Sequence, residues 1–232
     1  MIQIKSAAPG KPLAFLSVVA VLALGLLSAG CASISYKPAV SLPESPRTIK
    51  ATVQLDPLVD QVSPHDKASQ FSGLSACEPQ TLQGDLSTGV TDAILTDFNN
   101  NQVFATVKKR FDTTPDLIIK GTIDRFGAKF KVTTLGWCTM PIDIIWFFGL
   151  PITADHGNVD LTLTIQRPDG TVLGTYRGVS KFAKSYNIYQ NAGLALPTRL
   201  NKAFSEAVAQ LREQILNDES KLTPAPAVVP VK

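Results

Sequence analysis

Val159-Asp160-Leu161-Thr162-Leu163-Thr164-Ile165, followed by Arg167-Pro168-Asp169-Gly170 and then by Val172–Ser180, decides the fold class of this chain. Val159, Leu161, Leu163 and Ile165 alternate with Asp160, Thr162 and Thr164, the period-two spacing that gives a strand one apolar and one polar face. Pro168 fixes φ, Asp169 can bond its own backbone and Gly170 tolerates positive φ, so the four residues read as a tight turn. Val172–Ser180 is then the partner strand of a hairpin.

Working outward, the segments upstream add further strands. Leu117–Phe126 places Leu117, Ile119, Gly121 and Ile123 against Lys120, Thr122 and Asp124. Val103–Lys109 is a short strand, separated from it by the turn Thr113-Thr114-Pro115. Thr48–Leu55 alternates Ile49, Ala51, Val53 and Leu55 with Lys50, Thr52 and Gln54. Between these strands the period changes. Leu82, Leu86, Val90, Ile94 and Phe98 recur every fourth residue, one face of a helix, with Glu78-Pro79 as its start and Asn99-Asn100-Asn101 as its stop. A second helix opens at Pro197 and carries Leu200, Phe204, Ala207, Val208, Leu211 and Ile215 on one side. Asp56–Thr81, polar and broken by Gly, Pro and Ser, reads as a long loop. The order is strand, helix, three or four strands, helix. The expected fold is α+β, a mixed or antiparallel sheet of four to five strands with two amphipathic helices packed on one face.

The chain of 232 residues is 44% hydrophobic and 18% charged, enough apolar material for a core and too much for wholesale disorder. Its 22 Lys and Arg against 19 Asp and Glu give a net charge of +3, too small a field to make nucleic acid a partner. Lys5 and Lys11 belong to the first 30 residues, so the remainder is close to neutral.

Residues 1–30 hold those two lysines, no acid, an apolar run from Leu13 to Leu27 and the small residues Ser28-Ala29-Gly30 before Cys31. A positive start, an apolar centre and a small-residue exit describe a secretory signal peptide. The run is shorter than the ~20 apolar residues of a spanning helix. Leu26-Leu27-Ser28-Ala29-Gly30-Cys31 resembles the lipobox of bacterial lipoproteins, although that family usually has Leu where Ser28 stands. The resemblance implies cleavage before Cys31, a diacylglycerol on its thiol and an acyl chain such as palmitate on its amine. It also implies anchoring of the protein to a membrane. Ala32 and Ser33 follow where an Asp would imply inner-membrane retention, so the implied address is the outer membrane with the domain facing the periplasm.

The division expected is therefore a signal peptide over 1–30, the lipidated Cys31 with an extended tether to residue 47, an α+β domain over 48–218, and a Pro-rich disordered tail over 219–232. Pro38, Pro43 and Pro46 punctuate the tether, and Pro224, Pro226 and Pro230 the tail. Cys77 and Cys138 are the thiols left beside Cys31. In an oxidising compartment they are expected as a disulfide, worth roughly 4 kcal/mol for a loop of about 60 residues. His65-Asp66 and Asp155-His156 lack the paired spacing of metal ligands on one element, so no metal site is assigned.

Trp137–Pro151 concentrates Trp137, Trp146, Phe147, Phe148 and Leu150 in fifteen residues and holds both tryptophans of the chain. Two readings stand. The segment either folds over an open end of the sheet, or presents an apolar surface to a partner, a second copy or the membrane. No G-x-S-x-G elbow, Walker-type glycine loop, Cys-x-x-Cys or His pair occurs, and Asp124, Asp143, Asp155 and Asp160 near strand ends form no recognisable acid pair. The expectation is a non-enzymatic protein without a cofactor beyond its lipid.

Asp92–Asn101 running into Val103-Phe104-Ala105-Thr106-Val107-Lys108-Lys109-Arg110 is similar to the helix, short strand and Arg ending of the curli-secretion (CsgG), penicillin-binding-protein activator (LpoB) and Pel-polysaccharide export (PelC) lipoproteins. Pro115–Ile123 resembles their Asp, apolar strand, Gly segment, and Val159–Ile165 with Asp169-Gly170-Thr171-Val172-Leu173 resembles their strand, turn and strand. The likeness spans roughly residues 48–216. It implies a periplasmic domain that binds other envelope proteins, in some relatives by self-association into rings. The function expected is a non-catalytic binding or scaffold lipoprotein in cell-envelope biogenesis or export. The alternative is a lipid- or lipopolysaccharide-trafficking auxiliary.

Overall fold

The apolar alternation of Ile49–Leu55 becomes the first strand, β1, with Ile49, Ala51, Val53 and Leu55 buried and Lys50 exposed. The structure, a computed structural model, describes residues 36–67, 84–139, 147–187, 189–190 and 196–224, the side chains of 65, 66 and 139 excepted. In chain order they form β1 (Ile49–Leu55), β2 (Val59–Asp60), α1 (Pro64–Lys67), α2 (Leu86–Asn100), β3 (Phe104–Lys108), β4 (Leu117–Val132), α3 (Thr134–Thr139), β5 (Thr153–Gln166), β6 (Val172–Tyr186), α4 (Leu196–Asn217) and α5 (Glu219–Leu222). All belong to one compact unit, Ser33–Lys232.

The fold is α+β with a mixed sheet of six strands. Its order is β3-β1-β4-β5-β6, and β2 pairs with β4 beyond the end of β1. β1 is parallel to β3 and β4, whereas β4, β5 and β6 form an antiparallel meander. The hairpin read from the sequence is β5–β6, and Gly170 takes φ +89° in its turn. These strands are longer than the alternation indicated. Between Ile123 and Arg125 a bulge in β4 puts both Asp124 and Arg125 on the polar side, so the apolar phase passes from Ile123 to Phe126. Past that point β4, β5 and β6 continue as a three-stranded arm.

α2 and α4 pack on the apolar face of the sheet. Asp85 caps α2, its carboxylate accepting from the Thr88 N–H at 3.0 Å, so the helix starts at Leu86; the expected start at Glu78-Pro79 lies outside the described residues. Asn99 at its end bonds both ways to the Val107 backbone (3.0 and 3.1 Å), fixing β3 beneath the helix. The segment expected as a loop over 56–81 contains β2 and α1, and the buried Thr91 hydroxyl accepts from the Leu58 N–H at 3.0 Å. α4 lies along β6 in the opposite direction, with Leu200, Phe204, Ala207, Val208, Leu211 and Ile215 fully buried. Each of these side chains larger than Ala207 contributes about 1.5–3 kcal/mol. The helix backbone sits so close to the sheet that a Cβ on Gly178 would stand 2.1 Å from the Ala207 carbonyl oxygen.

Two expected boundaries move. The stretch assigned to a tether is extended, but from Tyr36 onward it is packed along α4. Tyr36 is 1% exposed and donates to Asn201 Oδ1 at 2.7 Å, its ring 6.3 Å from that of Phe126. The Ser41 N–H donates to Ser205, Arg212 donates to the Pro43 carbonyl, and Arg47 pairs with Glu219. The expected tail likewise begins with a helical turn, α5, whose Leu222 is 1% exposed in the core. Proline content marked both segments as irregular, but proline does not prevent an extended chain from docking.

Candidate functional site

Two features stand out on the arm. The first is its far end, where β4 leaves for α3 and β6 leaves for Asn187. The Thr133 N–H and hydroxyl donate to the Ile152 and Pro151 carbonyls (2.8 and 2.9 Å), which seats α3 on the start of β5. α3 then presents Trp137, 61% exposed, and Leu135, 40% exposed. On the returning chain Phe147 and Phe148, 66% and 80% exposed, lie in a 3₁₀ turn closed by Gly149 at φ +75°. The Tyr189 hydroxyl donates to the Phe147 carbonyl at 2.8 Å and leaves its ring 65% exposed. Leu150 is half-buried. Aromatic rings gain most from leaving water, so this many exposed at one end make a candidate contact surface.

Of the residues singled out from sequence, Trp137, Phe147, Phe148 and Leu150 are thus brought to one end, and Trp146 lies outside the described residues. Cys31 and Cys77 lie outside them too. Cys138 follows Trp137 on α3 as an exposed free thiol, so the expected disulfide to Cys77 is not formed in this structure. The sequence reading missed Leu135 and Tyr189. The Tyr189 contribution comes from a separate connection, forty residues downstream, which only the antiparallel return of β6 brings alongside.

The second feature is a cavity of about 720 Å³ on the middle of the arm. Among the described residues it is lined by Val62, Phe126 and Phe182 together with Arg125, Lys129 and Lys181. Gly157 makes room for the Phe182 ring, whose nearest atom would stand 2.5 Å from a Cβ there. Register explains the gathering of charge, because Arg125 faces Asp160, Lys129 faces His156 and Lys181 faces Asn158 across neighbouring strands. These cations come from two strands, Arg125 and Lys129 from β4 and Lys181 from β6, which are not neighbours in the sheet.

Of the four acids considered for chemistry, Asp143 lies outside the described residues and the other three are held in structural contacts. Asp160 is gripped by the Arg177 fork at 2.8 and 2.7 Å, which holds its carboxyl below the usual range. Asp124 accepts from Thr162 and Thr122. Asp155 is completely buried and paired with Arg199, and burial pushes its carboxyl up. His156, the next residue on β5, points to the opposite face, where burial and then Lys131 and Lys129 push its imidazole down. Asp155 and His156 therefore cannot join in one ligand set. Among the described residues no helix is long and apolar enough to cross a membrane.

No protein-family model and no curated protein matches the sequence. The fold does match solved structures. A Xanthomonas campestris protein of the family DUF330 superposes with a TM-score of 0.54 at 11% identity, covering 82% of this chain and 98% of that one. The PelC dodecamer from Paraburkholderia phytofirmans gives 0.36 at 7% identity over 74% of this chain and 94% of the other. A lipoprotein from Neisseria meningitidis gives 0.25 at 11% identity, covering 72% and 99%. The first shows a shared fold; the other two are looser likenesses that carry no argument.

Proposed function

We propose that the protein is a lipid-anchored, non-catalytic binding module of the bacterial cell envelope, attached to the outer membrane through a diacylglycerol and an acyl chain on Cys31 and facing the periplasm. The observation that carries the reading is the aromatic end of the arm. Four of its side chains, Trp137, Phe147, Phe148 and Tyr189, are more than half exposed, whereas the other large apolar residues exposed to that extent among those described are two valines on separate strands, Val59 and Val172. An exposed aromatic group of this kind supports binding rather than stability. The lipobox-like Leu26–Cys31 supports the anchor, and two or more acyl chains hold a protein to a bilayer durably. Metabolic labelling with palmitate, followed by membrane fractionation, tests this. The wild-type chain should take label and travel with the outer membrane, and Cys31→Ala should do neither. Equal behaviour of the two would overturn the anchor.

The cavity favours a second reading, a lipid-trafficking auxiliary. Arg125, Lys129 and Lys181 beside Phe126 and Phe182 match an anionic headgroup with an apolar portion. Mass spectra of the protein purified with minimal detergent would then contain stoichiometric phospholipid, lost in Arg125→Glu with Lys181→Glu.

A further inference from the structure

The course of residues 36–47 limits where a lipid on Cys31 can lie. Tyr36 meets Asn201 near the start of α4, Ser41 meets Ser205, Pro43 meets Arg212 and Arg47 meets Glu219 beyond the helix end. The segment therefore runs the length of α4 from its N-terminal half to its C-terminus, with Tyr36 on the N-terminal side. That side is the far end of the arm. Arg199, in the first turns of α4, reaches Asp155 and stacks over the Tyr186 ring at 4.6 Å, next to the last residue pair of β5 and β6. Cys31 is five residues before Tyr36. Five residues span at most ~18 Å even when fully extended. A lipid on Cys31 is thus held within that reach of Tyr36, whose ring packs beside Phe126, six residues before the end of β4 at Val132, whereas the hairpin turn at Gly170 lies at the other end of the strands.

The same end carries Leu135, Trp137, Phe147, Phe148 and Tyr189 exposed, and two lysines flank it. Lys131 and Lys184 are exposed at the close of β4 and β6, while Asp155, the acid facing Lys184, is already neutralised by Arg199. Trp and Tyr with flanking Lys is the composition that settles at a membrane–water interface, and basic side chains add attraction to anionic headgroups.

We infer that the aromatic end of the arm is a membrane-docking surface for an anionic phospholipid bilayer. It acts as a second, non-covalent contact beside the lipid on Cys31 and stands the β4–β6 arm on the membrane with its hairpin turn pointing away. The inference rests on the anchoring proposed above and identifies the partner of the aromatic end.

The test uses the full mature lipoprotein in vesicles of phosphatidylethanolamine and phosphatidylglycerol, read by quenching from brominated acyl chains. Trp146→Phe leaves Trp137 as the reporter. A second reporter, Phe148→Trp in a chain with Trp137→Phe and Trp146→Phe, guards against misfolding of the first. A third reports from the hairpin turn, Val172→Trp in the same double-Phe background, where Val172 is 57% exposed. The expected result is a blue shift and loss of emission for both end reporters, weakened by Lys131→Glu with Lys184→Glu, and solvent-like, unquenched emission at residue 172. Solvent-like emission from the end reporters in vesicle-bound protein would sink the docking surface while leaving the anchor intact. The aromatic end would then serve a protein partner or a second copy. Equal quenching at both ends would overturn the orientation. Failure of the protein to float with vesicles would remove the anchor itself and the inference with it.

Discussion

Asp155 lies under the first turns of α4 with no exposed surface, and Arg199 supplies the cation beside it while stacking on Tyr186. Burial raises the Asp155 carboxyl above its ordinary range, and Arg199 pulls it back only in part. A carboxyl raised in the folded state binds its proton more readily there than in the unfolded chain. Its contribution to stability is therefore largest in acid and falls as pH rises from the ordinary carboxylate range through the raised folded value, levelling off above it. Removing the cation should steepen that fall. Arg199→Ala should cost about 3–5 kcal/mol where Asp155 is ionised, because one buried charge is left uncompensated. The loss should shrink in acid, where Asp155 takes up a proton instead. Urea midpoints at about pH 8 and about pH 5 decide this, and an equal loss at both would mean that Arg199 acts by packing alone.

Among the elements, α4 and β6 are held in close contact. Gln214, Gln210 and Glu206 bond in succession to Arg177, Val179 and Ser180, so the helix is laced to the edge strand, and Gly178 lets the two backbones touch. Gly178→Ala places a methyl against a carbonyl oxygen that cannot swing aside. It should cost roughly 1–3 kcal/mol by overpacking, visible as a lower Tm with the circular dichroism of the folded state retained. Gly170→Ala acts differently, since space is open there and only the positive φ resists it. The strand and helix periods of β1, β5, α2 and α4 were plain in the sequence because each has one fully buried face. The outer half of β4 was not. The bulge at Asp124 and Arg125 shifts the phase by one residue, so the stripe Phe126, Ala128, Phe130 and Val132 that resumes beyond it does not continue the register of Leu117–Ile123. The aromatic end was half legible: the density of Trp137, Phe147 and Phe148 drew attention to it, but whether such a stretch is buried or exposed depends on neighbours far away in sequence.

For the molecule as a whole, the docked segment 36–47 closes the fold. It covers the groove beside α4, and Arg212 ties it to the buried Asp97 of α2, 3.6 Å away. A chain begun at Tyr36 should unfold cooperatively. One begun at Thr48 should lose at least ~3 kcal/mol, the cost of removing a large buried aromatic, and expose Arg212 and Asp97 to water. Denaturant melts of the two chains measure the difference, and equal stability would return the segment to the role of a free tether.

The sequence by itself determined what depends on neighbouring residues. Alternation set the strands, four-residue spacing set the two long helices, Pro168-Asp169-Gly170 set the hairpin, and the run before Cys31 set the expectation of a lipid anchor. Tertiary structure decided what depends on residues distant along the chain: that the proline-spaced segment lies along α4, that Arg125, Lys129 and Lys181 converge on one cavity, and that Tyr189 joins Trp137 and Phe148 at one end. Local pattern fixes a side chain's face, because backbone geometry repeats every two or 3.6 residues. What that face meets is settled only when strand register and helix packing bring remote segments together.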